Sequence, residues 1–534
     1  MKILLIGINA KYIHPAYGIY QIVANSKYPC DFIEYSIKDE NQKILDYINE
    51  YKPDLLGFSV YIWNVEKIKE LLPNLKHFKI LLGGPEVIHS CDNFLLEYNV
   101  SYVIKGEGEE SFNYLIDALV NKTSLKEVPN LYYKILNHVF FTFDQKPEIF
   151  NIKHAHHLNK DFKNRIAYIE SSRGCYFKCS YCLASTDKPV RFFPSEKLKE
   201  EISFLLKKKV KTIKFLDRSF NVNVPYTLEI LKYIKANDNN HTTFQFEVIG
   251  DYITQDILKL LKTFRSDMLR FEIGVQSLNN KTLKEIDRVQ NNKVLLKNIK
   301  ELNSFMVTHI DLIAGLPYEN LGSFKNTFNK TFMTFPKELQ LGFLKELKGT
   351  KISKTKLKHK YIFQTNSPYE VIENKYLSKT DLEEIKMVCK GLDIYYNKGN
   401  FPRTMKYLFE TLKLNPYKTF LALSKQLDCL QCFEDITQNI YNTIKTKNKD
   451  CLLYIIKQDY LTKFHVKPKI WWEYNMTRQR RRELYEYLIK MNGLLSLELL
   501  YRYAHVEETD NEIFTVIYKD LSNITVYVKK EKST

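Results

Sequence analysis

Six short runs between residues 165 and 350 constrain this chain more than anything else in it: RIAYIESS, KTIKFLDRS, TTFQFEVIG, MLRFEIGVQS, VTHIDLIAG and ELQLGFLKEL. Each reads as a strand, and amphipathic stretches such as SEKLKEEISFLLKKK lie between them. Strands that alternate with helices pair in parallel, because each return path is a crossover helix. Every run ends in polar residues or glycine, the pattern expected where loops at the C-terminal mouth of a barrel carry the chemistry. Six βα units predict a partial (βα)6 barrel of TIM type with an open side.

A second alternating series precedes it. MKILLIGINA, DLLGFSVYI, KILLGG and VSYVIKGEG are separated by helical patterns such as EESFNYLIDALV, and predict a Rossmann-like parallel sheet. Ligands of such sheets sit beyond the carboxyl ends of the strands, here the loops Asn9 to Gly18, Ser59 to Asn64, Gly83 to Glu86 and Gly106 to Glu109. At 534 residues the chain exceeds what one core organises. The expected division is an α/β domain over 1–124, a hairpin and linker over 125–164, the barrel over 165–350 and a mostly helical, Lys-rich extension over 351–534. His154, His156 and His157 fall in the linker and read as solvated.

Composition narrows the function classes. No apolar run of spanning length and no signal-peptide pattern occurs, so the expectation is a soluble cytoplasmic protein with no membrane partner. Nine cysteines without an export signal point to reduced thiols, some of them metal-bound. The formal charge of +18 is spread over many helical stretches, so nucleic acid is allowed as a partner but not favoured.

Cys175, Cys179 and Cys182 stand just past the first barrel strand. A structural zinc site normally takes a fourth Cys or His at comparable spacing, and the flanking sequence offers none. Three thiolates can instead hold three irons of a four-iron, four-sulfur cluster and leave the fourth open to an external ligand. The pattern Cys175-x3-Cys179-x-Tyr181-Cys182 resembles the signature of the radical S-adenosylmethionine superfamily. That resemblance implies an oxygen-sensitive [4Fe-4S] cluster that cleaves S-adenosylmethionine to methionine and a 5′-deoxyadenosyl radical. It also implies a low-potential electron donor such as flavodoxin or ferredoxin. By the same resemblance the S-adenosylmethionine contacts would be Tyr181, Asp217, Glu247, Glu272, Gln276, Ser277, Gly315, Leu316 and Pro317. Asp217 reads equally as a helix N-cap, and Glu272 as part of a satisfied buried network.

The first domain resembles the cobalamin-binding fold of one class of that superfamily. The match rests on Ser59-x-Tyr61, on Gly83 and Gly84 with Pro85 and Glu86, and on Gly106 and Glu107, all expected at cobalamin. In the fold's first motif, Asp-x-His-x-x-Gly, His14 is present but Tyr12 replaces the Asp and Tyr17 the Gly. His14 therefore reads as a loop or capping residue, with cobalamin bound without a protein histidine. The region from residue 351 is similar to the uncharacterised DUF4080 extension of such enzymes. Within it Cys429 and Cys432 could hold an auxiliary cluster or form a redox pair but read more readily as partly buried helix cysteines, and Arg478, Arg480, Arg481 and Arg482 read equally as a site for nucleic acid or a phosphorylated substrate and as a charged helix face.

The expected function is a radical enzyme, most readily a cobalamin-dependent methyltransferase acting on a small molecule or other unknown substrate. The alternatives are a tRNA methylthiotransferase-like enzyme and a non-catalytic cobalamin-binding sensor. The first fits less well because only Cys30 and Cys91 precede the barrel, where such enzymes carry three cluster cysteines.

Overall fold

The computed structural model describes residues 1–492, 496–509, 512–519 and 522–529. These form two compact units, residues 1–327 with 334–382, and residues 328–333 with 383–534.

In the first unit, β1 (Ile3–Asn9) is buried along its whole length. Its alternating side chains feed two cores: Leu4, Ile6 and Ile8 enter one, Ile3 and Leu5 the other. Helices therefore cover both faces of its sheet, which explains the unbroken apolar run. Each fully buried Leu or Ile stabilises the fold by about 1.5–3 kcal/mol relative to exposure. The other strands are β2 (Asp31–Ser36), β3 (Leu55–Ser59), β4 (Lys79–Gly83), β5 (Tyr102–Ile104), β6 (Leu131–Ile135) and β7 (His138–Phe141), in the order β2-β1-β3-β4-β5-β6-β7. β1 to β5 are parallel, and the hairpin β6–β7 joins the same sheet antiparallel to β5.

The barrel strands are β8 (Ala167–Ile169), β11 (Thr212–Phe215), β12 (Thr243–Val248), β13 (Leu269–Gln276), β14 (Val307–Ala314) and β15 (Glu338–Phe343), all parallel and in consecutive order. A two-stranded antiparallel clip, β9 (Ser172–Arg173) with β10 (Arg191–Phe192), follows β8. Along β12, Phe244, Phe246 and Val248 are buried while Thr243, Gln245 and Glu247 are half-buried. The same alternation in β11, β13 and β14 puts Lys214, Glu272, His309 and Asp311 on the less buried face with Glu247. A short hairpin, β16 (Ile362–Phe363) with β17 (Val371–Glu373), belongs to this unit.

The second unit is mostly helical, with helices Phe433–Thr443, Lys449–Lys463, Arg478–Asn492 and Leu497–Tyr503. The expected C-terminal hairpin is β19 (Glu512–Lys519) with β20 (Ser522–Lys529), and β18 (Ala504–Glu508) pairs on its other side. Its core is built on Leu484, Tyr485, Leu488, Leu500 and Val506. No helix among the described residues is long and apolar enough to cross a membrane.

Candidate functional site

The three cysteines lie on the loop that the clip β9–β10 closes. Gly174 makes the closure: its φ is +95°, and a Cβ there would sit 2.9 Å from the carbonyl oxygen of Asp187. The loop is pinned from outside as well, since the Ser180 N–H donates to the Ile286 carbonyl (2.9 Å) and the Ile352 N–H to the Ser180 carbonyl (2.9 Å). Cys175 and Cys179 are buried, Cys182 half-buried, and all three are free thiols. Burial pushes the Cys182 thiol up; a backbone hydrogen bond from Ala184 and the Arg218 guanidinium oppose this, and the charges of Cys179 and Cys175 add to it. Among the described residues no three His, Cys, Asp or Glu side chains close on one point as ligands of a single ion would. Arg288 faces the same loop, 3.8 Å from Cys179 Sγ and donating to the Tyr181 hydroxyl (3.3 Å). The all-sulfur donor set, with Arg288 and Arg218 beside it, fits an anionic iron–sulfur cluster.

At the other strand ends the structure redistributes the expected residues. Asp217 is buried and its carboxylate accepts from the Ser171 N–H (2.9 Å), the Ser171 hydroxyl (2.6 Å) and the Ser172 hydroxyl (2.5 Å). It ties β11 to the segment entering the cysteine loop and caps no helix. Burial holds its pKa up, with the serine hydrogen bonds acting against that. Glu247 accepts from Arg218 (3.0 and 3.3 Å), and Glu272 from Lys214 (2.8 and 3.0 Å). Glu272 is thus satisfied within the protein.

Gln276 adopts a left-handed φ of +61°, and its Oε1 is buried without a hydrogen-bond partner, an acceptor suited to a hydroxyl or amino donor of a nucleoside ligand. Ser277 turns away: it is fully buried and donates to Glu319 (2.6 Å). Burial pushes the Glu319 carboxyl up to about 7, with its bonds to Ser277 and Thr327 opposing. The Gly315 carbonyl accepts from the Tyr361 hydroxyl (2.8 Å) and Asn374 Nδ2 (2.8 Å), while Leu316 and Pro317 are buried.

Beyond the carboxyl ends of β1, β3, β4 and β5 lies a cavity of about 760 Å³. Ser59, Tyr61, Gly83, Gly84, Gly106 and Glu107 line it as expected, and the barrel contributes Tyr168, Arg173, Gly174, Ala184 and Arg218. Gly84 serves the backbone first: its φ is +110°, and a Cβ would stand 2.4 Å from the Val60 carbonyl oxygen. Pro85 and Glu86 are not in this wall, a correction to the expectation. Past the left-handed turn at Gly84 the chain leaves the cavity, and Glu86 accepts from the Tyr369 hydroxyl (2.7 Å) in a separate pocket of about 200 Å³. Glu107 is committed to Arg173 (2.8 Å) and Arg191, and Arg173 also binds Glu109 (2.7 Å) and Glu170 (2.8 Å). Burial lowers the His14 pKa, helped by Lys214 and Lys11, and pushes the Tyr168 hydroxyl up to about 12. The cradle of Gly83 and Gly106, with aromatic walls at Tyr61 and Trp63, fits a large planar cofactor with a nucleotide tail.

Sequence reasoning missed Arg173, Arg191 and Arg288, which stand in no motif and acquire their partners only from distant segments. It also misplaced two features. His154 and His156 are not solvated but hold the buried Glu201 carboxylate at 2.9 and 2.6 Å. Cys429 and Cys432 are exposed rather than partly buried in a helix, because Leu427–Cys429 is a short 3-10 turn and Cys432 caps the helix Phe433–Thr443. Arg480 and Arg482 lie exposed on the helix Arg478–Asn492, paired with Glu508 and Glu486 at 2.6 and 2.7 Å, as a charged helix face would be.

Comparison with known proteins follows this geometry. Family models match in succession: the B12 binding domain over residues 3–116, the radical SAM superfamily over 169–331, and a protein family of unknown function, DUF4080, over 357–533. The 2-(S-pantetheinyl)-carbapenam-3-carboxylate methyltransferase of Streptantibioticus cattleyicolor is 24% identical over 318 residues, 51% of this chain and 44% of that protein. The chain spans less than half the length of the curated relatives it matches. Among solved structures, the cobalamin-dependent S-adenosylmethionine radical enzyme OxsB, with aqua-cobalamin and S-adenosylmethionine bound, aligns with a TM-score of 0.63 at 14% identity over 93% of this chain and 82% of that one. The radical S-adenosylmethionine methyltransferase TsrM from Kitasatospora setae, with cobalamin and a [4Fe-4S] cluster bound, aligns with a TM-score of 0.56 at 13% identity over 66% and 74%. These likenesses establish a shared fold.

Proposed function

Because this chain belongs to the radical S-adenosylmethionine superfamily, in the class that joins a B12-binding domain to the barrel and here adds a DUF4080 extension, we propose that it is a cobalamin-dependent radical S-adenosylmethionine methyltransferase. The observation that carries the reading is the shared cavity: one volume of about 760 Å³ is walled by the glycine loops of the first sheet and by Gly174 and Ala184 of the cysteine loop. Chemistry fed from both sides needs both cofactors at a common space.

In this reading Cys175, Cys179 and Cys182 hold a [4Fe-4S] cluster, with Tyr181 and Arg288 against it. Gln276 offers its free Oε1 to S-adenosylmethionine, with Glu247, Gly315, Leu316 and Pro317 at the neighbouring strand ends. Ser277, Asp217 and Glu272 act one step back: Ser277 fixes the turn at Gln276, Asp217 fixes the entry to the cysteine loop, and Glu272 fixes Lys214. Ser59, Tyr61, Gly83, Gly84, Gly106 and Glu107 form the cobalamin wall. When bound, these groups supply an electron to the sulfonium of S-adenosylmethionine, the resulting 5′-deoxyadenosyl radical for hydrogen abstraction, and a methyl group for transfer. The electron comes from a low-potential donor of the flavodoxin or ferredoxin class, and the substrate is a small molecule.

The test is anaerobic reconstitution with iron, sulfide and cobalamin, followed by reduction in the presence of S-adenosylmethionine. Formation of 5′-deoxyadenosine, lost in Cys179→Ala, is the expected result. A loaded four-iron cluster that yields none overturns the reading.

A further inference from the structure

The match to DUF4080 begins at residue 357, yet the chain from there to Leu382 packs within the first unit, with the barrel. Two residues of this leading segment converge on one atom. Tyr361, just before β16, and Asn374, just after β17, both donate to the Gly315 carbonyl at 2.8 Å, one through its hydroxyl and the other through Nδ2. A carbonyl oxygen has two lone pairs, and both are then engaged. The approach is steric as well: the φ of Gly315 is +96°, and a Cβ there would stand 2.7 Å from Val371 Cγ1. Only glycine lets the segment come this close.

A group that positions another must itself be held, and this segment is. The Val371 N–H donates to the Leu344 carbonyl (2.9 Å), and the Leu344 N–H to the Ala314 carbonyl (2.9 Å), so β17 is bonded through the chain just past β15 to the end of β14. Asn374 Oδ1 accepts from the Tyr376 N–H (2.8 Å) and the Leu377 N–H (2.9 Å), which leaves Nδ2 facing Gly315. Burial keeps the Tyr361 hydroxyl protonated, hence a donor. At the tip of the hairpin the Tyr369 hydroxyl donates to Glu86 (2.7 Å) and the Ser367 hydroxyl to the Ile62 carbonyl, a second anchorage on the first sheet's loops. We propose that this leading segment of the extension completes the S-adenosylmethionine site, with Tyr361 and Asn374 as positioning residues that fix the peptide between Gly315 and Leu316 against the nucleoside. The inference rests on the reading of Gly315, Leu316 and Pro317 as S-adenosylmethionine contacts. That peptide is trans, so a fixed carbonyl also fixes the Leu316 N–H on its opposite edge.

The experiment uses the full chain with its cluster reconstituted and unreduced, and measures S-adenosylmethionine binding by equilibrium dialysis. Tyr361→Phe removes one donor and keeps the ring; Asn374→Asp removes the other and keeps the accepting Oδ1. Each should raise the Kd for S-adenosylmethionine by about 5-fold, and the pair together by at least about tenfold, with iron content unchanged. Methionine carries the same amino and carboxylate groups without the nucleoside. Its effect on the electron paramagnetic resonance spectrum of the reduced cluster should titrate alike in parent and variants, whereas a merely structural role would weaken both ligands together. In the parent, S-adenosylmethionine should slow amide hydrogen exchange across residues 361–377, and methionine should not. Variants that bind S-adenosylmethionine as the parent does, variants that lose methionine in the same proportion, or parent exchange that ignores S-adenosylmethionine each overturn the positioning role alone. A parent with a full four-iron cluster that binds no S-adenosylmethionine overturns both that role and the reading of the site.

Discussion

Replacing Arg173 by Met removes one cation from among three carboxylates while keeping most of the aliphatic volume. The Arg173 side chain is 10% exposed, and its partners Glu109 and Glu170 are 7% and 17% exposed. Breaking a buried pair by deleting one partner typically costs about 3–5 kcal/mol, because the remaining charge is stranded away from water. Two features pull this case to the low end. Glu107 keeps Arg191, and Glu109 opens the helix Glu109–Asn121, whose N-terminus favours a carboxylate by up to roughly 1 kcal/mol. A loss of about 3 kcal/mol at pH 8 is therefore expected, read by urea unfolding followed by far-ultraviolet circular dichroism.

The pH dependence is the sharper readout. Burial already raises the Glu170 pKa against the pull of Arg173, and without the arginine it rises further. A carboxyl whose folded pKa exceeds its unfolded value contributes stability below the unfolded pKa and loses it as pH rises through the folded pKa. The variant should thus be nearest its parent at pH 5 and furthest at pH 8, the gap changing by up to about 1.4 kcal/mol per pH unit for each stranded carboxylate. A deficit below about 1 kcal/mol at pH 8, or one that does not change with pH, refutes the reasoning.

Glu319→Gln should match its parent at pH 5 and exceed it at pH 8 by up to roughly 3 kcal/mol, because a carboxyl held near pKa 7 loses stability as pH rises past it, and the amide does not ionise; the same urea series measures this. Cys179→Ala should remove the brown colour after anaerobic reconstitution, and iron analysis showing about four irons per chain would sink the cluster assignment. Gly84→Ala should cost roughly 2–4 kcal/mol through its left-handed backbone and the contact with Val60, measured by thermal unfolding.

The parallel strands were legible because burial on both faces, or alternation against helices, leaves a plain apolar signature. β2 escaped notice because it is an edge strand: DFIEYS has only Tyr35 fully buried, so no continuous run advertises it. The cysteine loop was legible from spacing alone, since nothing else in the chain sets three thiols so close. The charged parts of the site were not. Arg173 and Arg288 resemble any surface arginine until distant segments bring Glu107, Glu109 and Cys179 to them. Pro85 and Glu86 failed for a local reason, the reversal at Gly84 that takes them out of the wall. His14 shows a different kind of gap, because a motif read along the chain cannot register Tyr168, 154 residues away, whose hydroxyl lies 2.6 Å from its Nδ1.

The clasp around the cysteines has a consequence for biogenesis. Its ends are joined by β9 and β10, and its middle is held at Ser180 by backbone hydrogen bonds with two other segments. Loading iron and sulfide is then insertion into a finished socket rather than a step that drives the chain to fold. Chelators should strip the metal and leave a compact apoprotein that can be refilled, unlike small metal-dependent domains that collapse when emptied.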